Sequence, residues 1–137
     1  MGIALGSATV WSASSAPALH AQAKRTTWDG VYNQAQAVRG QALYDTHCGR
    51  CHNVDLTGVD YTPALTNAAF QANYDTLSVG TLFERFRVTM PLNLENTLPR
   101  QTYLDIVAYV LSRNGFPAGE RELPGALGEL NQIRFLA

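Results

Sequence analysis

The sequence predicts an all-α protein, and two observations carry this prediction. Apolar residues recur at helical spacing in two segments, and no segment shows a convincing strand pattern. The apolar positions are Val79, Leu82, Phe83 and Phe86 in the first segment, and Tyr103, Ile106, Val107 and Val110 in the second. A length of 137 residues with 46% hydrophobic side chains leaves room for one domain with a buried core.

The first helix is predicted to begin near Asn33 and to run into the site around Cys48. Asn33 is a favourable N-cap, and Gln36 three residues later forms with it an N-x-x-Q variant of the capping box. One face of this helix carries Ala37, Gly40, Gln41 and Tyr44. Because Gly40 has no side chain to hold another helix at a distance, we expect a close helix crossing there.

The remaining elements follow from capping residues and helix breakers. The stretch from Asn53 to Tyr74 is rich in Asn, Thr, Asp and Gly without a clean period, so it is predicted to be a loop. Ser78 can cap the helix that follows it. A second loop, from Pro91 to Pro99, precedes the last helix, which is predicted from about Arg100 to Arg113.

Residues 1–23 are predicted to be a secretory signal peptide. They include no Lys, Arg, Asp or Glu, are apolar near Ile3 to Trp11, and end in Ala21-Gln22-Ala23, an A-x-A cleavage site. A flexible Ala/Ser-rich tail without a targeting role is the alternative. We divide the rest into a domain over residues 24–117 and a C-terminal extension over residues 118–137, and we expect no membrane span after signal cleavage.

The charge balance argues against one class of partner. The chain has ten Lys and Arg side chains against eleven Asp and Glu side chains. Nucleic acid binding usually requires a basic surface that neutralises phosphates. We therefore expect no nucleic acid partner.

The strongest functional signal is the run Cys48-Gly49-Arg50-Cys51-His52, a C-x-x-C-H motif typical of haem c attachment. Two thiols separated by two residues on one helical turn can add to the two vinyl groups along one edge of a porphyrin. The adjoining His52 is then placed under the iron, where its imidazole can serve as the proximal axial ligand. The motif predicts one haem c, attached covalently through Cys48 and Cys51.

A C-x-x-C pair has other uses. A thioredoxin-like redox pair follows a strand, whereas the sequence before Cys48 has a helical period. A structural zinc site needs about four ligands, and only His47 and His20 remain as further candidates. Both alternatives fit the sequence less well than haem.

Met90 is the predicted second axial ligand. It is the only methionine besides Met1, and it follows a helix. Pro91 disfavours helical geometry at Met90 and so favours an extended loop that can lie over the iron. A neutral thioether suits a six-coordinate iron at high potential. A core methionine that fills a packing gap is the alternative.

These residues resemble the class I mono-haem c-type cytochromes exported by bacteria, over roughly Trp28 to Phe116. Gly40 and Tyr44 match the family's glycine and aromatic at the crossing with the last helix, and the run from Tyr103 to Val110 matches that helix. The resemblance implies the class I cytochrome c fold, an all-α fold whose helices wrap around one covalent haem c. It also implies a periplasmic location.

The resemblance assigns roles to further residues. Pro63 occupies the place of a family proline whose carbonyl accepts a hydrogen bond from the proximal histidine, and Met90-Pro91 matches the distal ligand loop. In relatives an aromatic near the haem propionates often stands where Tyr74 is. Arg85 and Arg87 are available to offset the propionate charge, with solvent-exposed arginines as the alternative.

Three segments are similar to those of cytochromes found with periplasmic quinoprotein dehydrogenases: Trp28-Asp29-Gly30-Val31-Tyr32, Ala35-Gln36-Ala37 and Asn114-Gly115-Phe116-Pro117. The expected function is electron transfer by a carrier that is not an enzyme. A quinoprotein dehydrogenase is the expected donor, and a terminal oxidase or another cytochrome the expected acceptor. Two alternatives stay open: a haem subunit held permanently in a dehydrogenase complex, and a haem enzyme or sensor with an open coordination site.

Overall fold

Helices form the body of the protein, as predicted. The structure, a computed structural model, describes Gly2 and residues 24–137; the predicted signal peptide, residues 1–23, lies outside the described residues except for Gly2. The helices are α1 Gln34–His47, α2 Gly49–His52, α3 Asn67–Tyr74, α4 Val79–Thr89, α5 Arg100–Arg113 and α6 Leu127–Leu130, and the strands are β1 Arg25–Thr26 and β2 Ile133–Arg134. Within the described part of the chain, no helix has the length and apolar character needed to cross a membrane.

The centre of the fold is the crossing of α1 and α5. A Cβ built on Gly40 would stand 1.8 Å from the carbonyl oxygen of Asp105, so only a glycine allows this approach. One turn further along α1, the ring of Tyr44 packs against that of Tyr109 with 5.3 Å between centroids. The predicted close crossing is therefore confirmed.

The start of α1 confirms the predicted cap and corrects its partner. The Asn33 side-chain oxygen accepts a hydrogen bond from the Gln36 backbone N–H at 2.9 Å. The Gln36 side chain does not return this bond, because it is buried and its Oε1 accepts from the Leu123 N–H at 2.8 Å. The Asn33 half of the predicted capping box is therefore confirmed, and the Gln36 half is wrong. Gln41, which is predicted on the buried face of α1, is exposed. The buried face of α1 is therefore narrower than predicted.

The predicted loop over residues 53–74 is wrong at its end, where α3 forms. The Asn67 side-chain oxygen accepts from the N–H groups of Ala69 and Phe70 at 3.0 and 3.1 Å, which satisfies donors of the first turn. The buried Phe70 ring lies 5.0 Å from the ring of Tyr74, one turn later. A helix of eight residues with two aromatic contacts shows too little period to be recognised in the sequence.

The two helices predicted from apolar spacing are confirmed. The Ser78 hydroxyl accepts from the Thr81 N–H at 3.0 Å, so Ser78 caps α4 as predicted. All four predicted apolar positions of α4 are buried. Helix α5 has the predicted bounds, but it is buried all round from Tyr103 to Leu111 rather than on one face.

The C-terminal residues pack against the domain. Strand β1 pairs with β2 in parallel, with Arg25 opposite Ile133, although no strand is predicted from the sequence. Strands of two residues are too short to show an alternating pattern. The Trp28 indole N–H donates to the Leu136 carbonyl at 3.1 Å. Four apolar residues of the segment are buried: Leu123, Leu130, Ile133 and Phe135.

Candidate haem site

The C-x-x-C-H motif lies where α1 ends and α2 begins. The Cys48 N–H still donates to the Tyr44 carbonyl at 2.7 Å, and the His52 N–H donates to the Cys48 carbonyl at 2.9 Å. One helical turn therefore carries both cysteines and the histidine. Cys48 is partly buried, Cys51 is exposed, and both are free thiols.

The environment of Cys48 bears on the alternatives to haem. Burial raises the pKa of the Cys48 thiol to about 11, so this group is a neutral thiol at neutral pH. A redox-active pair usually has a thiol with a lowered pKa. Within residues 24–137, no group of three or more His, Cys, Asp or Glu side chains is arranged to hold a metal ion.

One hydrogen bond fixes the imidazole of His52. The side chain is buried, with 5% of its surface exposed, and its Nδ1 lies 2.8 Å from the Pro63 carbonyl oxygen. A carbonyl oxygen can only accept, so Nδ1 carries the proton and donates. The other nitrogen, Nε2, then keeps its lone pair and can bind a metal ion.

The turn that brings Pro63 to His52 requires a glycine. The Gly58 N–H donates to the His52 carbonyl at 2.9 Å, which closes the chain directly after the motif. Gly58 has φ of +72°, and a Cβ there would stand 2.3 Å from the Thr62 carbonyl oxygen. Only glycine tolerates this conformation and this approach together.

Met90 directly follows the last turn of α4. Its N–H donates to the Phe86 carbonyl at 3.0 Å, while its own backbone is extended, with φ −136° and ψ 152°. The extended geometry predicted from Pro91 is therefore confirmed. The Met90 carbonyl accepts from the Tyr103 hydroxyl at 2.8 Å, so hydrogen bonds hold the backbone of Met90 on both sides.

Sequence reasoning missed two hydroxyl groups that hold the site. The Tyr44 hydroxyl donates to the carbonyl of Asn53, the residue after His52, at 2.7 Å. The Tyr103 hydroxyl donates to Met90 as described. Both tyrosines are predicted only as packing residues. A buried tyrosine usually has a hydrogen-bond partner, so partners for these two hydroxyl groups could be expected. The sequence does not identify which groups they are.

The two arginines that are predicted near Tyr74 have different surroundings in the structure. Burial raises the pKa of Tyr74, and the neighbouring Arg85 side chain partly offsets this rise. Arg87 instead donates to both carboxylate oxygens of Glu84, at 2.9 and 2.7 Å, and to Asn96 at 2.7 Å. The ion pairs formed within residues 24–137 involve Arg87 but not Arg85.

This set of donors fits a haem c. Two free thiols match the vinyl groups, and an imidazole with an available Nε2 together with a thioether matches a six-coordinate iron. The Tyr74 hydroxyl and the Arg85 guanidinium match the propionate carboxylates, which accept hydrogen bonds from such donors.

Comparisons with known proteins agree with this fit. The sequence profile described as cytochrome c matches residues 37–114. The fold resembles a chain in the crystal structure of the sulfane dehydrogenase SoxCD from Paracoccus pantotrophus, with a TM-score of 0.53 and 20% identity. This match covers 79% of the present chain but only 61%, less than two thirds, of the other. No curated protein matches the chain. The matches and the helical body confirm the predicted all-α class I cytochrome c fold.

Proposed function

The chain belongs to the cytochrome c family, and from this premise we propose that it is a periplasmic electron carrier with one haem c attached through Cys48 and Cys51. Family membership itself establishes a c-type cytochrome that works by haem-based electron transfer. The finer assignments are our proposal: His52 and Met90 are the axial ligands, and Pro63 and Tyr74 complete the site.

The hydrogen bond between His52 and Pro63 is the observation that carries the proposal. It sets the tautomer in which Nε2 is free for iron and Nδ1 donates to the carbonyl at 2.8 Å. Such a bond orients the ring and increases the basicity of the ligating nitrogen. The His52 side chain is buried, so its ring is held in one orientation by its surroundings as well as by this bond.

The backbone geometry at Met90 supports its role as the second ligand. The Phe86 carbonyl and the Tyr103 hydroxyl hold its N–H and its carbonyl, respectively. Its side chain is partly buried and belongs to the only methionine of the described residues. With its backbone held on both sides, Met90 would supply a thioether to a bound haem iron, as a six-coordinate electron carrier requires.

When bound, haem c supplies an iron that alternates between the ferrous and ferric states. The residues of the chain hold the group, exclude water and set the local dielectric. Leu82 and Phe83 of α4 and Leu56 in the loop after the motif are fully buried members of the hydrophobic core against which the partly buried Cys48 packs. A low-dielectric environment disfavours the more highly charged ferric state and so raises the potential.

The proposed donor is a quinoprotein dehydrogenase and the proposed acceptor is a terminal oxidase or another cytochrome. The first and last of the three segments that resemble dehydrogenase-associated cytochromes contact each other. The Trp28 ring packs edge-on against Phe116 at 4.9 Å, and the Tyr32 hydroxyl donates to the Phe116 carbonyl at 2.6 Å. These contacts bring both segments into one structural unit, and the predicted signal peptide supports the periplasmic location.

Expression of the full chain in a bacterium that matures c-type cytochromes tests the proposal. We expect the periplasmic fraction to contain a protein cleaved after Ala23 whose intact mass includes one haem, and we expect reduction by a quinoprotein dehydrogenase. Replacing Cys48 and Cys51 together by serine removes the covalent haem, whereas the control Arg50→Ala, between the cysteines, retains it. A wild-type chain without covalent haem contradicts the proposal.

A further inference from the structure

The backbone of Phe135 is hydrogen-bonded to the turn between α3 and α4. Its side chain is completely buried. Its N–H donates to the Leu77 carbonyl at 2.8 Å, and its carbonyl accepts from the Thr76 N–H at 2.9 Å. Near the end of the chain, the Ala137 N–H donates to the Asp75 carboxylate at 2.9 Å. The C-terminal strand is therefore fastened next to Tyr74, at the last residue of α3.

The ring of Phe135 is also part of an aromatic cluster that includes Tyr74. Ring centroids lie 6.0 Å apart for Phe135 and Tyr74, 6.4 Å for Phe135 and Phe70, and 5.0 Å for Phe135 and Phe116. Helix α3 has only eight residues, too few to be stable without tertiary contacts. The orientation of the Tyr74 ring therefore depends on Phe135 as well as on Phe70.

We propose that Phe135 is a positioning residue that fixes the orientation of the Tyr74 ring, so that the Tyr74 hydroxyl can donate to a haem propionate. This inference rests on the proposed function, since it requires a bound haem c. It makes the C-terminal segment part of the haem site rather than a segment reserved for binding a partner.

The proposed role has an electrostatic consequence. A propionate carboxylate near the iron stabilises the positively charged ferric state. Donors on that carboxylate offset its charge, and a packed aromatic cluster keeps water away from it. If Phe135 is truncated, the Tyr74 ring loses one of its packing contacts, and water can enter the space that the Phe135 ring occupied. Both effects favour the ferric state, so the reduction potential falls.

The test compares reduction potentials of purified holoproteins as a function of pH. The variants are Phe135→Ala, Tyr74→Phe and the double variant, with Phe135→Leu as a milder change that retains an apolar side chain. Leu130→Ala is the matched control, because Leu130 is equally buried in the C-terminal segment but lies outside the aromatic cluster. Intact mass confirms the covalent haem in each protein.

We expect Phe135→Ala and Tyr74→Phe to shift the potential downward, Phe135→Leu to shift it less, and the double variant to fall by less than the sum of the two single shifts. Leu130→Ala is expected to lower the melting temperature without moving the potential. An unchanged potential in both Phe135 variants, or fully additive shifts in the double variant, overturns the inference. A wild-type chain that lacks covalent haem overturns the proposed function as well, so the two failures are distinguishable.

Discussion

The imidazole of His52 and the carbonyl of Pro63 meet at 2.8 Å across eleven positions of the chain. The intervening loop is closed by the Gly58 N–H, which bonds to the carbonyl of His52 itself. The same short loop thus sets both the position and the proton of the proposed proximal ligand. Changes in this loop should therefore be visible at the iron.

We expect Pro63→Ala to raise the reduction potential. The substitution retains the carbonyl but releases the fixed φ of proline, so the hydrogen bond to His52 weakens and the imidazole becomes less basic. A less basic ligand stabilises ferric iron less. A tenfold change in relative affinity for the two oxidation states corresponds to about 59 mV, and we expect a shift of that order or smaller. Spectroelectrochemistry measures it.

The control for this prediction is Pro117→Ala, which alters an exposed proline. We expect its potential to equal that of the wild type. A Pro63→Ala protein with a lowered or unchanged potential would show that the carbonyl does not tune His52.

Gly40→Ala should destabilise the protein by about 1–3 kcal/mol, although alanine is the better helix former. The added Cβ would stand 1.8 Å from the Asp105 carbonyl oxygen and force α1 and α5 apart. Denaturant unfolding of the holoprotein measures the loss. The neighbouring Gln41→Ala, on the exposed face of α1, should change stability by less than about 0.5 kcal/mol. Equal effects of the two changes would refute the close crossing.

Tyr44→Phe should cost about 1 kcal/mol, because it removes the hydroxyl that donates to Asn53 while leaving the ring in place. The matched control is Tyr61→Phe, since the Tyr61 side chain is fully exposed at 103% of its reference surface. Thermal unfolding of both holoproteins compares them. If Tyr44→Phe is as stable as Tyr61→Phe, the hydroxyl does not hold the end of the motif.

Asp105→Ala should cost on the order of 2–3 kcal/mol, whereas Glu122→Gln should cost less than about 1 kcal/mol. Both carboxylates pair with Arg39, at 3.1 and 2.7 Å, but their side chains are 5% and 39% exposed. Asp105 itself is buried and also accepts from Gln101 at 2.7 Å, so its removal loses hydrogen bonds from two side chains at once. Denaturant unfolding at low and high salt separates the two, and a larger loss for Glu122→Gln would contradict this ranking.

The helices in which apolar residues recur at clear helical spacing could be predicted from the sequence. Helices α4 and α5 have the expected bounds because four apolar residues at helical spacing identify each of them. The C-x-x-C-H motif likewise identified the family, since its spacing reflects the chemistry of attachment. Helix α3 was missed because its helical signal rests on Phe70 and Tyr74 alone.

Long-range hydrogen bonds could not be predicted from the sequence, for a different reason. The Gln36 side chain bonds to Leu123 rather than to its own helix, and the hydroxyl of Tyr103 bonds to Met90. Such partners are distant in the chain, and only the assembled fold brings them together. The aromatic cluster around Phe135 has the same origin.

The near-infrared absorption of the oxidised holoprotein, compared with that of Met90→Ala, tests most directly whether Met90 binds the iron. A weak band from the bond between sulfur and ferric iron is expected in the wild type and absent in the variant, and the reduced wild type should not bind carbon monoxide. This result would identify His52 and Met90 as the two axial ligands of an electron carrier. A wild type that lacks the band and readily binds carbon monoxide would instead have an open coordination site, which would contradict the assignment of Met90 as an axial ligand.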